Sequence, residues 1–186
     1  MGKVYDQIDG RLREFIEAQH MFFVATAPSS GTGHVNLSPK GLDTFRILDP
    51  KTVAYLDFVG SGAETIAHLR ENGRIVIMLC AFEGAPKIVR LHGEGDVLEP
   101  KDAQFAKLIG KFPPSSAIRS IIRVRLRRVS TSCGYGVPFY EYQSQRSRLG
   151  EWAAGKGEKG LLEYQREKNS YSIDGLAALR FPCGLD

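Results

Sequence analysis

Residues 36–41 read Asn-Leu-Ser-Pro-Lys-Gly, and residues 60–65 read Gly-Ser-Gly-Ala-Glu-Thr. The first segment ends an apolar run and delivers the Ser38 hydroxyl and the Lys40 ammonium. The second is a glycine-rich turn that opens a helix and carries Ser61 and Thr65. A phosphate group needs a positive charge, hydrogen-bond donors and a backbone that can approach closely. A helix start adds unpaired amides and the positive end of the helix dipole. Pro39 would fix the backbone before Lys40, and Gly41 would permit a sharp exit. Each segment alone reads equally well as a turn with an exposed lysine or as a plain helix cap. Their pairing at strand ends that a barrel could bring together points to a phosphorylated ligand rather than a metal or a nucleophilic serine.

Other reactive residue types give less. Arg90 interrupts the apolar run Ile-Val-Arg-Leu, either exposed at an edge or reaching a ligand with its planar fork. Ser132 to Tyr140, with glycines on both sides of Tyr135 and Pro138 at the exit, would suit a flat ligand or a structural corner equally. The three cysteines, Cys80, Cys133 and Cys183, are widely spaced without a C-x-x-C pair, which argues against a zinc site or a disulfide framework. Cys133 has no His or Asp partner nearby in the chain to make it a nucleophile. The four histidines are scattered with no i, i+4 pair, so none is assigned as a ligand.

The elements that must position these groups come from the chain's patterning. With 186 residues and 42% hydrophobic content, one domain with a small appendage is expected. No apolar run approaches the roughly 20 residues needed to span a bilayer, and the polar N-terminus does not read as a secretory signal. A cytoplasmic protein is expected. Net charge is +4. The densest basic run, Arg119, Arg123, Arg125, Arg127 and Arg128, alternates with Ile122, Val124 and Leu126. That is strand periodicity with a charged face, and no aromatics interleave as a single-stranded nucleic-acid groove would require. Nucleic acid is therefore not expected as a partner.

Residues 3–19 read as an amphipathic helix. Strands are expected at Met21–Ala27, His34–Ser38, Phe45–Pro50, Thr52–Phe58, Arg74–Phe82, Lys87–Leu98 and Ser120–Ser132. Further helices are expected at 61–73, with Ser61 as N-cap and Asn72-Gly73 as the stop, and at 100–111, opened by Pro100. Short strand spacing with inserted rather than alternating helices argues for a mainly antiparallel barrel of about six strands. From Gln143 the sequence is charged and helix-friendly. It reads as an arm, so the division is a barrel domain over 1–142 and an arm over 143–186 lying on the barrel or on a partner subunit.

The order F-V-A-T-A, V-N-L-S-P-K-G, V-A-Y-L-D-F, G-S-G-x-E-T, N-G-R-I-V-I-M and V-R-L-H-G-E-G resembles the pyridoxamine 5'-phosphate oxidase-like flavoproteins over roughly residues 10–140. The resemblance implies an α+β, six-stranded antiparallel split β-barrel binding FMN between two subunits of a homodimer. It implies a cofactor set of Asn36, Leu37, Ser38, Pro39, Lys40, Gly41, Asp57, Ser61, Gly62, Thr65 and Arg90, with the flavin phosphate near Lys40, Ser61 and Thr65. The implied activity is flavin-dependent oxidoreduction of a small molecule. The alternatives are a deazaflavin, which carries the same phosphorylated ribityl chain, or a flavin- or haem-binding carrier or sensor. The chain departs from the true oxidase where Glu64 and Thr65 replace an arginine and a lysine. The oxidase's Arg-, Trp- and His-rich substrate segment is absent, and the tail Tyr164–Leu176 stands in its place. No acid or base is assigned.

Overall fold

A computed structural model describes residues 2–181; Cys183 lies outside them. The elements are β1 (Val4–Tyr5), α1 (Gly10–Glu17), β2 (Phe22–Thr26), β3 (Asn36–Lys40), β4 (Phe45–Asp49) and β5 (Thr52–Phe58). They continue with α2 (Glu64–Asn72), β6 (Arg74–Cys80), β7 (Ile88–Leu98), α3 (Ala103–Ile109), β8 (Ile118–Ser132) and α4 (Arg148–Lys168).

Every strand pairing is antiparallel, and the sheet runs β3-β2-β6-β7-β8-β5-β4, with β1 added on β8. The two end strands of that order, β3 and β4, are consecutive in the chain. The barrel is therefore split between them, and residues 41–44 cross the split. Eight strands are present among the described residues where about six were expected. The least of them is β1, whose two residues, Val4 and Tyr5, pair with Ser130 and Val129.

Period-two alternation sends Phe22 and Val24, Ile75, Ile77 and Leu79, Val89 and Leu91, and Ile122 and Val124 into one apolar interior. On β3 the same alternation turns Asn36, Ser38 and Lys40 half-inward and leaves Leu37 and Pro39 exposed. Pro39 lies within the strand, opposite Phe23, not in a turn. An edge strand tolerates it because its missing N–H faces no neighbour.

Several element bounds differ from the sequence reading. The helix expected over 3–19 is confined to Gly10–Glu17. Asp9 adopts an extended conformation and accepts a 2.8 Å hydrogen bond from Leu12 N, which starts the helix there. The apolar spacing at Val4 and Ile8 imitates a helix, but the margin of β8 offers Val4 and Tyr5 a ladder instead. The second helix starts at Glu64 rather than Ser61, and its N-cap, Ala63, makes no side-chain capping bond. The preceding loop is held open by its carbonyls. Asn169 Nδ2 donates to Gly60 O at 2.8 Å, and Arg119 Nη1 donates to Gly62 O at 2.8 Å. Gly73 does end α2, in the left-handed conformation (φ 71°) that glycine adopts freely. Pro100 does not open α3, because Asp102 closes a turn on Glu99 N first.

The arginine run follows strand alternation only from Arg123 onward. Arg123 pairs with Asp96 across to β7, and Arg125 and Arg127 with Glu94. Arg119 leaves this pattern and is buried. After β8 the chain runs irregularly to α4, which kinks at Gly157 (φ 65°). Ala153 and Leu161 of α4 pack on Val59 and Ala117, so the arm lies against the root of the β5–α2 loop.

Tyr55 is fully buried with its ring centroid 5.4 Å from that of Phe22, yet its hydroxyl has no hydrogen-bond partner among the described residues. Burying an unpaired hydroxyl costs about 1–3 kcal/mol. Tyr55→Phe is therefore expected to leave thermal stability unchanged or raise it. Loss of more than about 1 kcal/mol in denaturant unfolding would show that the hydroxyl is satisfied in solution.

Candidate functional site at the barrel split

Asp57 lies near the end of β5 with its side chain fully buried. Its Oδ2 accepts from Arg119 Nε at 2.8 Å and from Ser120 Oγ at 3.2 Å, and its Oδ1 accepts from Lys40 Nζ at 3.3 Å. Burial alone would raise its pKa. The Arg119 and Lys40 charges, and their hydrogen bonds, outweigh that and hold the carboxyl below its ordinary value. The pair with Lys40 joins β3 to β5 across the split, where no strand ladder does.

Arg119 is placed by a bulge. Asp57 pairs with Ser120 and Phe58 with Ile118, so Arg119 has no partner in the ladder and its side chain turns inward. Nε holds Asp57 and Nη1 holds Gly62 O. The remaining edge of the guanidinium is left for the cavity that Arg119 lines.

A polar chain lines the other side. Asn36 Nδ2 donates to Thr65 Oγ1 at 3.0 Å and to Thr26 Oγ1 at 3.3 Å, while Ser38 Oγ donates to Asn36 Oδ1 at 3.1 Å. Because Thr65 Oγ1 accepts from Asn36, its own proton is free for the cavity. Behind them, fully buried His68 places Nδ1 3.0 Å from Thr26 Oγ1. Burial lowers its pKa against the opposing pull of Glu64, Asp174 and Glu71, so the ring is neutral at pH 7.

These groups enclose a cavity of about 130 Å³ lined by Asn36, Ser38, Lys40, Phe58, Gly60, Gly62, Glu64, Thr65 and Arg119. The uncapped first turn of α2 opens onto it. The first amide that pairs within the helix end is Ala67 N, bonded to Ala63 O, which leaves the preceding amides free for an anion. The donor set comprises an ammonium, a guanidinium edge, a hydroxyl and helix amides, and it fits a phosphate group. Glu64 is the opposing charge. Its Oε1 accepts from Ile173 N of the C-terminal tail, which holds it at the rim.

The structure thus brings together Asn36, Ser38, Lys40, Asp57, Gly62 and Thr65. Leu37 and Pro39 share β3 but point outward, Gly41 begins the crossing of the split, and Ser61 is exposed on the loop without a capping role. Arg90 stands apart: on β7, its Nη1 donates to Ser132 Oγ at 2.9 Å, and it does not line the cavity. Arg119, Thr26 and His68 belong to the site and are missed by the sequence reading. The alternation along the chain puts Arg119 in a solvated face, and only the bulge distinguishes it from Arg123. The one available signal is its position beside Ser120, ahead of the regular alternation.

The Asp57 centre sets a pH dependence. Its folded pKa is depressed, so its contribution is present above the unfolded value of about 3.9 and is lost as pH falls through the folded value. At pH 7, Asp57→Asn leaves two cations without their buried counter-charge and is expected to cost about 3–5 kcal/mol. The gap between wild type and variant should narrow below about pH 4 in urea unfolding. A gap independent of pH would remove the ion-pair account.

The family model described as pyridoxamine 5'-phosphate oxidase matches residues 8–133. The chain is similar to the pyridoxamine 5'-phosphate oxidase family protein ustO of Aspergillus flavus, with 40% identity over 192 residues that cover 94% of this chain and 77% of the relative. Among solved structures it is similar to HupZ from Group A Streptococcus, with TM-score 0.51 and 21% identity over 66% of this chain and 91% of that one. It is also similar to a FAD-binding protein of Mesorhizobium loti, with TM-score 0.50 and 14% identity over 70% and 96%. At those identities the solved structures share the fold, while the family model and the fungal relative together establish kinship. The chain belongs to the pyridoxamine 5'-phosphate oxidase family.

Proposed function

We propose that this protein binds FMN and is a flavin-dependent oxidoreductase acting on a small molecule. The observation that carries the proposal is the cradle at the split: Lys40, Arg119 and Thr65 converge on the uncapped start of α2. The Mesorhizobium protein named for FAD binding shares this fold. In this reading the flavin phosphate is held by Lys40, Arg119, Thr65 and the α2 amides. When bound, the flavin supplies the electron transfer. The chain's own residues orient it. Asp57 holds both cations in place, Asn36 directs the Thr65 proton at the phosphate, and the arm braces the Gly60 carbonyl through Asn169.

A homodimer with the flavin at the subunit interface belongs to the same proposal. Large apolar side chains left in solvent, among them Val35, Leu37, Tyr135 and Phe139, supply surface for a second copy. The division into a barrel domain over 1–142 and an arm over 143–186 is part of this reading as well.

Fluorescence titration with FMN and with riboflavin, which lacks the phosphate, tests the assignment. Lys40→Ala should weaken FMN by about 1–3 kcal/mol and leave riboflavin nearly unchanged. Equal loss for both would mean that Lys40 supports the fold rather than the phosphate. Absorbance of the purified protein and mass measurement of any released chromophore separate FMN from a deazaflavin. Failure of many-cycle reduction by NADH or NADPH would leave a carrier rather than an enzyme.

Glu64→Gln removes the carboxylate that opposes an anion at the cradle. It should tighten FMN by about 1 kcal/mol, with the effect shrinking at high salt. Unchanged or weaker binding would show that Glu64 swings clear of the phosphate.

A further inference from the structure

A pocket of about 430 Å³ opens between the C-terminal half of α2, the second half of β7, the start of α3 and the tail, and it shares no residue with the cradle. A glycine sets one side of it. Gly95 N donates to Gly73 O at 2.8 Å, and a Cβ at Gly95 would fall 2.8 Å from Leu69 Cδ2, so α2 lies tight on β7 there. Past that contact the chain turns into α3. Asp102 N donates to Glu99 O at 2.8 Å, and Glu99 N donates to Asp102 Oδ2 at 2.7 Å, which fixes the turn. The size of the pocket lies within the roughly 300–1,000 Å³ of small-molecule sites.

Three arginines, Arg70, Arg123 and Arg180, line the pocket together with Asp96 and Asp102. Part of this charge is spent within the walls. Arg123 sits opposite Asp96 in the β7–β8 ladder and donates to its Oδ2 at 2.7 Å. Arg70 Nη2 donates to Glu99 Oε1, and the same carboxylate accepts from Arg180 N at 3.2 and 3.3 Å. What remains is two groups of each sign. Arg70 Nη1 and the exposed Arg180 guanidinium have no acceptor among the described residues, and Arg70 Nε is buried without one. Oδ1 of Asp96 and Oδ1 of Asp102 have no donor among them. Burial pushes the Arg70 pKa down, Glu99 pulls it up, and the neighbouring Arg180 charge pushes it down again. Two like charges thus share one carboxylate, and a second anionic group beside them would relieve both.

These groups select among ligands by what each would leave opposed. A bare anion drawn to the arginines meets the open oxygens of Asp96 and Asp102, and a bare cation meets Arg70 and Arg180. A molecule carrying both charges meets neither penalty and makes charge-assisted hydrogen bonds at both ends. We infer that this pocket binds a zwitterionic α-amino acid with an uncharged side chain. Its carboxylate lies on Arg70 and Arg180, its ammonium on Asp96 and Asp102, and its side chain toward Leu69 and Leu98. The pairs Arg70–Glu99 and Arg123–Asp96 hold the walls before the ligand arrives, so little ordering is required on binding. This site is independent of the flavin reading, since it lies at the opposite end of α2 from the cradle.

The full-length protein is titrated calorimetrically with each of the standard L-α-amino acids, with the N-acetyl and amide derivatives of the best binder, and with inorganic phosphate. One site per chain is expected for an amino acid with an uncharged side chain. The N-acetyl derivative, which lacks the ammonium, and the amide, which lacks the carboxylate, should each bind about tenfold more weakly. Arg180→Gln changes an exposed side chain, and Asp102→Asn keeps an oxygen for Glu99 N. Each should weaken the amino acid about tenfold and leave the melting temperature and FMN affinity at wild-type values. Should Asp102→Asn lower the melting temperature, Arg180→Gln and the two derivatives decide alone. Binding by no amino acid overturns the inference. So does phosphate that binds more tightly than any of them, which would make this a plain anion site, or a best binder with a charged side chain. Amino-acid binding that neither variant weakens, or that FMN displaces, overturns it by placing the ligand elsewhere.

Discussion

A carboxylate with no exposure to solvent holds the two sides of an open barrel together. Asp57 is buried on β5 and is tolerated there because Arg119, Ser120 and Lys40 all donate to it. An isolated buried carboxylate would take up a proton; this one is kept ionised by two cations, and it in turn fixes where they point. One of those cations comes from β3, on the far side of the split. The same contact that closes the barrel electrostatically therefore lines a cavity with cationic donors, because each cation keeps donors that Asp57 does not use.

The rest of the site follows from what this centre leaves open. Arg119 reaches Asp57 only through a bulge in β8, and its second arm seizes the Gly62 carbonyl. That carbonyl is thereby withdrawn from the helix start, α2 begins later, and its first amides face the cavity. The arm reinforces the effect from behind. Fully buried Asn169 holds the Gly60 carbonyl, and Asp174 binds both the backbone and the ring of His34 at the entrance to β3. The C-terminal tail here supports the loop that lines the cavity.

Polar groups under the cradle form one chain, from His68 through Thr26 and Asn36 to Thr65 and Ser38. In a low-dielectric interior each bond constrains its neighbour's proton. A single amide thus decides which hydroxyl keeps its proton free for the cavity, a form of preorganisation that needs no residue of unusual chemistry.

The sequence by itself determined the β-rich architecture, the family, the Gly73 helix stop and the two segments that meet at the cradle. Those depend on local properties: alternation of apolar residues along strands, glycine's access to left-handed backbone, and the order of motifs along the chain. It did not determine which arginine serves the site. Arg119 and Arg123 sit in the same alternating run, and only the pairing offset between β5 and β8 turns the first inward while the second meets Asp96 of β7. Nor could it show that Pro39 and Lys40 continue a strand, since an edge position is defined by the strands that are absent beside it. Ser61 resembles a cap until Arg119 and Asn169 claim the neighbouring carbonyls. Each of these outcomes depends on a distant partner along the chain or on the placement of a strand margin, and such long-range geometry exists only once the sheet has closed around its core.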